Sequence, residues 1–247
     1  MTFGNLFMAA LADILGNQME AIRKTGNILK IKGRVIPVTN SDSNLVAEYE
    51  NGLKVVGEHN IDEPKHSGKI KIKKIYLDPP SVANFEAISA IENADFIIIG
   101  PGDLYTSLMV NLAVGGVAKA IKNTKAKIVY VMNIMTSFGE TYGLSALDHI
   151  EIVEKYMQGR KLDYILLNSK KLPDDIIKKY EKANDYPVKD DLSKGDKRII
   201  RADFLSNENI KKDKADVLQR SLIRHSGEKI ARAIEKINSE KASLLLH

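Results

Sequence analysis

The chain has 247 residues, 44% of them apolar and 28% charged, with a formal net charge of +5. That is enough apolar material for a sizeable core, in one large domain or two small ones. There is no cysteine, which excludes disulfides, zinc-thiolate centres and a cysteine nucleophile and favours a cytoplasmic address.

The N-terminal MTFGNLFMAALADILGNQME has no basic lead-in and continues into an acid-bearing helical pattern, so it does not read as a signal peptide. Leu6, Phe7, Ala10, Leu11, Ile14 and Leu15 share one helical face over residues 5–16, and a second helix starts near Gln18 after the Gly16-Asn17 break. From about 31 to 77 the pattern shortens into β-like runs, RVIPVT, LVAEY, LKVVGE and KIKIKKIYL. Asn51-Gly52 offers a hairpin turn between the second and third runs, and residues 64–68 read as an exposed loop. This region is expected to form a small antiparallel excursion.

Beyond Pro79-Pro80 strands alternate with helices. ADFIIIG, AKIVYVMNI and DYILLN read as buried strands, with helices over 106–122, 144–157 and 173–183. YPVK and KRIIRADF add two short strands, and a final amphipathic helix carries Ile223, Ile230, Ile234 and Ile237. The expected fold class is α/β, a three-layer αβα Rossmann-like arrangement around a mostly parallel sheet. No window reaches the roughly 20 continuous apolar residues of a membrane span. With its lysines dispersed and no tryptophan, the chain is not expected to bind nucleic acid.

Ligands of an open parallel sheet gather beyond the carboxyl ends of its strands, and two such junctions carry unusual chemistry. In GPGDLYTS, Gly100 and Gly102 permit a sharp turn and close backbone approach, while Thr106 and Ser107 fall where a helix begins. Amides, hydroxyls and the positive helix end could converge there on a phosphate. Equally, the glycines could only shape a turn and Thr106 only cap a helix. Asp103 would oppose a bare phosphate and suits a sugar or base hydrogen bond, or a magnesium ion. The second junction, NIMTSFGETYGLSALDHIEIV, brings Asn133, Thr136, Glu140 and Thr141 to the same edge. Glu140 and Thr141 read either as a binding wall or as solvated loop residues, and His149 as structural or exposed. The five histidines, at 59, 66, 149, 225 and 247, form no close metal-ligand pair and no Ser-His-Asp order.

Taken together, GPGDLYTS followed by NL and VMNIMTSFGETYGLSALDHIE closely resembles the YvcK-like gluconeogenesis factors, within the wider CofD-like family. FGNLFMAAL, KGRVIPVT and LIRHSGEKIARAI match in the same order, so the resemblance covers nearly the whole chain as one domain, 1–247. It implies a nucleotide-binding αβα fold. In the YvcK branch it implies binding of UDP-N-acetylglucosamine and a role in cell shape and envelope synthesis during gluconeogenic growth. In the CofD branch it implies magnesium-assisted transfer of a phospholactyl group from a guanosine diphosphate carrier to a deazaflavin alcohol. The LYTS and GET forms look like the YvcK branch. Family members open with a strand and a glycine-rich turn ahead of the Gly4-Asn5 helix; here Met1 stands three residues before it, so that unit is expected to be missing. A sheet lacking its first strand would expose an edge and favour self-association.

On this reading Gly100, Gly102, Thr106 and Ser107 hold a diphosphate, Asp103, Asn133 and Thr136 face sugar or base, and Asn5 joins the pocket. The transferase alternative would use Asp103 and Asp148 as metal-binding acids. A third reading is an interaction module built on Arg224, His225, Lys229 and Arg232, which by default form a solvated helix face.

Overall fold

A computed structural model describes residues 3–207 and 222–244. Helices α1 (Phe3–Leu15) and α2 (Gln18–Ile28) form a hairpin. Gly16 turns the chain between them at φ +63°, and the Asn17 side chain caps α2 by accepting from the Glu20 amide. The apolar face expected on α1 is not buried: Phe3, Leu6 and Ile14 are exposed.

The antiparallel excursion is present but starts later than its sequence pattern implies. It comprises β1 (Asn44–Tyr49), β2 (Lys54–Val56) and β3 (Ile72–Asp78), in the order β2-β1-β3, with α3 (Glu58–Asp62) between β2 and β3. Gly52, at φ +85°, makes the hairpin turn after Asn51. RVIPVT does not form a strand. Pro37 has no N–H for a ladder, and the carbonyls of Pro37 and Val38 accept instead from the side chain and backbone of Asn84. The segment thus braces the start of α4 (Phe85–Glu92), whose N-cap is Asn84.

Four parallel strands follow in the order β4-β5-β6-β7: β4 (Phe96–Ile99), β5 (Lys127–Val131), β6 (Tyr164–Asn168) and β7 (Ile199–Ala202). Along β5 and just beyond it, Ile128, Tyr130 and Met132 enter one apolar cluster while Val129 and Val131 enter another. Successive side chains of a strand point to opposite faces, so helices cover this sheet on both sides. Complete burial of each such side chain contributes roughly 1.5–3 kcal/mol, which explains the unbroken apolar run from Ile128 to Met132. Helices α7 (Ala146–Tyr156), α8 (Asp174–Glu181) and α9 (Gly227–Leu244) complete the α/β pattern.

Two expected elements differ. The helix expected over 106–122 is broken into a π-helical turn at Leu104–Met109, α5 (Val110–Ala113) and α6 (Val117–Asn123). Gly115 causes the break by pairing with the chain at Ser81-Val82, where its amide donates to the Ser81 carbonyl at 2.9 Å. YPVK supplies only one bridge, Pro187 opposite Met135, because proline cannot extend a ladder. Ile223 precedes α9 rather than lying on it. No helix among the described residues is long and apolar enough to cross a membrane.

Candidate functional site

A cleft of about 440 Å³ opens at the carboxyl ends of β4 and β5. One wall is the turn after β4, Pro101 to Leu104; a second is the loop after β5, Asn133 to Ser137, with Thr141. Tyr180 and Asp185, from α8 and its exit, and the segment Ile223 to His225 close it. A larger cavity of about 610 Å³ lies between the start of α2 and residues 37–42, but it includes none of the strand ends. Position at the sheet edge favours the smaller cleft.

The cleft walls are held by side chains. Asn133 donates from Nδ2 to the Gly102 carbonyl at 2.8 Å and accepts at Oδ1 from the Tyr130 hydroxyl at 3.0 Å. Thr136 makes two bonds to Tyr186, donating its amide to the carbonyl and accepting at its hydroxyl from the Tyr186 amide. The Thr141 hydroxyl accepts from the Ser137 amide, and Asp185 accepts from the Phe138 amide at 2.7 Å. Gly100 turns at φ +89°, where a Cβ would lie 3.0 Å from the Val131 carbonyl oxygen. Gly102 lets Leu108 and Ser107 close over the turn.

The expected site residues divide. Gly102, Asp103, Asn133 and Thr136 line the cleft, whereas Gly100, Thr106, Ser107 and Asn5 are not among its lining residues. Thr106 is only 5% exposed, and its hydroxyl donates to Glu140 Oε1 at 2.6 Å. The Tyr105 amide, another donor at this helix start, goes to Glu140 Oε2 at 2.9 Å. Two of the donors available to a phosphate at this helix start are therefore consumed inside the protein. Ser107 is half-buried, and its amide bonds to the Asp103 carbonyl. Asn5 is exposed on α1.

Arg224 is exposed, as expected of a solvated face, but it precedes α9 rather than lying on it. It lines the cleft, and its guanidinium has no ion-pair partner among the described residues. His225 beside it donates from Nε2 to the Met132 carbonyl, and burial lowers its pKa. Asp103, which also lines the cleft, is raised above the ordinary carboxylate range by desolvation and then by Asp62; desolvation also raises Asp185. The cleft thus combines an unpaired guanidinium with carboxyl and amide acceptors, a set suited to an anionic group joined to a hydroxylated one.

The acids of the transferase reading do not converge. Asp148 forms a capping box with Ser145 and lines a different cavity, beside Tyr105 and Lys155, while Asp103 lines the cleft. Among the described residues no cluster of three or more histidine and acidic side chains could hold a metal ion. Asp103 and Asp148, lining different cavities, do not form one shared magnesium site. His149 is fully buried and donates from Nδ1 to the Ser145 carbonyl, a structural position. Glu140 and Thr141, at 4% and 2% exposure, are not solvated loop residues.

The family model for 2-phospho-L-lactate transferase CofD matches residues 1–205. The chain belongs to the CofD family. A chain of Thermotoga maritima is 41% identical over 237 residues, which cover 96% of this chain and 72% of its own. The gluconeogenesis factor of Bacillus subtilis is 35% identical over 231 residues, 93% of this chain and 69% of that protein. A crystal structure of a UPF0052 family member from Bacillus halodurans superimposes with a TM-score of 0.82 at 31% identity, covering 95% of this chain and 71% of the other. Within this CofD family member, the cleft residues missed from sequence are Ser137, Tyr180, Asp185 and Arg224 with His225. Ser137 belongs to the NIMTS junction already placed at this edge, whereas Tyr180 on α8, Asp185 just after it and the segment carrying Arg224 and His225 come from parts of the chain that no local motif connects to GPGD.

Proposed function

We propose that the cleft binds a nucleoside-diphosphate sugar of the UDP-N-acetylglucosamine type, and that the protein is a regulatory, gluconeogenesis-linked factor acting on cell shape and envelope synthesis. The observation that carries this reading is Arg224, a guanidinium without an ion-pair partner among the described residues, at a cleft that Asp103, Asn133, Thr136 and Asp185 also line. A planar guanidinium bonds phosphate oxygens in pairs. Asp103 accepts from sugar or ribose hydroxyls, and the Gly102 backbone approaches the ligand without a side chain. The names of the matched relatives, gluconeogenesis factors from Bacillus subtilis and other bacteria, support the regulatory role. Separation of Asp103 from Asp148 disfavours the transferase alternative.

Isothermal titration with UDP-N-acetylglucosamine, UDP and free N-acetylglucosamine tests this directly. The expected result is saturable heat with the first, weaker heat with the second and none with the third. Absence of heat from a folded protein at millimolar UDP-N-acetylglucosamine sinks the proposal. Turnover of a deazaflavin alcohol with a guanosine diphosphate-linked donor would replace it with the transferase reading.

A further inference from the structure

Arg224 has no ion-pair partner among the described residues, so no salt bridge of its own holds it at the cleft. Its place is set by the backbone of residues 223–226. The Arg224 carbonyl accepts from the Ser206 amide, and the Ser226 amide donates to the Phe204 carbonyl, both at 2.8 Å. His225 lies opposite Leu205 in an antiparallel bridge just beyond β7. The Ile223 amide donates to the Tyr180 hydroxyl at 3.2 Å. So short a pairing opens locally at small cost. The His225 side chain adds a different tie: its Nε2 donates to the Met132 carbonyl at 3.1 Å, 93 positions away. Met132 is fully buried, and its own amide donates to the Leu166 carbonyl at 3.0 Å, so it continues the pairing of β5 with β6. The next residue, Asn133, holds the Gly102 carbonyl. One strand end therefore carries both the bond that fixes the glycine turn and the bond that fixes the arginine segment.

We propose that His225 is the positioning residue for Arg224: its imidazole fastens the 223–226 segment to the end of β5 and so sets where the guanidinium meets the ligand's phosphate. Met132 offers a carbonyl, which needs a donor, and an imidazole protonated at Nε2 supplies one on a short, stiff side chain. A leucine in its place leaves that carbonyl without this partner and the segment with one anchor fewer. A glutamine carries an N–H donor at about the reach of Nε2. Presenting Arg224 before the ligand arrives lowers the ordering cost of binding. The consequence for affinity rests on the nucleotide-sugar reading; the hold on the segment does not.

Titration with UDP-N-acetylglucosamine compares the wild type with His225→Leu and His225→Gln, each made also in the Arg224→Ala background. His225→Leu should weaken binding by about tenfold or more, the scale of a misplaced contact, and His225→Gln should recover most of that loss. Once Arg224 is replaced by alanine, His225→Leu should cost no further affinity, because a residue that acts through another loses its effect when the other is removed. Where Arg224→Ala binds too weakly to titrate, Arg224→Lys takes over, and the His225→Leu loss should shrink there. Equal losses in both backgrounds mean a direct contact or a general structural role and overturn the proposal, as does wild-type affinity in His225→Leu. Should the leucine variant fail to fold, His225→Asn, whose amide stops short of Met132, takes its place. Hydrogen exchange of the Ser206 and Ser226 amides follows the segment in the ligand-free protein. It should rise by about tenfold in His225→Leu and stay at the wild-type rate in His225→Gln. No heat from the wild type removes the nucleotide-sugar reading alone, and the exchange rates then decide the positioning role: equal rates in wild type and His225→Leu overturn it.

Discussion

The Asn133 side-chain amide donates to the Gly102 carbonyl at 2.8 Å, joining the ends of two parallel strands whose linked residues are 31 positions apart. The same side chain accepts from the buried Tyr130 hydroxyl. It therefore ties the floor of the sheet to both principal walls of the cleft. Replacing Asn133 with alanine leaves the Gly102 carbonyl and the Tyr130 hydroxyl without this partner. The expected loss is roughly 1–3 kcal/mol of stability, measured by urea unfolding, together with weaker ligand binding.

Arg224→Ala should leave the urea midpoint unchanged, because the guanidinium has no ion-pair partner among the described residues. Affinity for the nucleotide sugar should fall by roughly 10- to 100-fold, the range expected when a hydrogen bond to a charged group is removed. Arg224→Lys keeps the charge but not the paired geometry and should recover only part of that loss. Titration calorimetry separates the three proteins.

Gly100→Ala tests the turn itself. At φ +89° a side chain is strained, and this one would also press on the Val131 carbonyl oxygen. The expected cost is roughly 1–3 kcal/mol, visible as a lowered melting temperature. A silent substitution would show that the turn can reshape.

The pH dependence of stability has a definite sign. Glu140 titrates near pH 8 in the folded chain against an ordinary value of 4.5, so between those values the folded state holds the extra proton. Its stabilising contribution is fully present below about pH 4.5 and is lost as pH rises towards 8. Glu140→Gln should remove that slope. Comparing urea midpoints of the two proteins at pH 5, 7 and 8.5 measures it.

Most of the parallel sheet was legible because strands covered on both faces leave continuous apolar runs, as in KIVYV and YILLN. The cleft's position followed from the same rule, since GPGD and NIMTS end neighbouring strands. Less legible were features decided by distant partners. Thr106 and Ser107 form a plausible anion-binding pair in isolation, yet Thr106 is claimed by Glu140, 34 residues away. Helical spacing over 106–122 hid a break because the cause, Gly115 pairing at Ser81-Val82, lies outside that window. RVIPVT has strand-like composition, but its carbonyls were recruited by Asn84. Arg224 reads in the sequence as one cation among several, and only the folded chain brings it to the cleft that Asp103 also lines.

The walls at 101–104, 133–141, 180–185 and 223–225 lie far apart in the chain. No isolated peptide carries more than a fragment of this cleft, so an occupant must favour the assembled chain over the open one. Mass action then links occupancy to thermal endurance: a hundredfold excess over the dissociation constant adds about 2.7 kcal/mol. A melting curve recorded with and without a nucleotide sugar would register whether those remote segments had met.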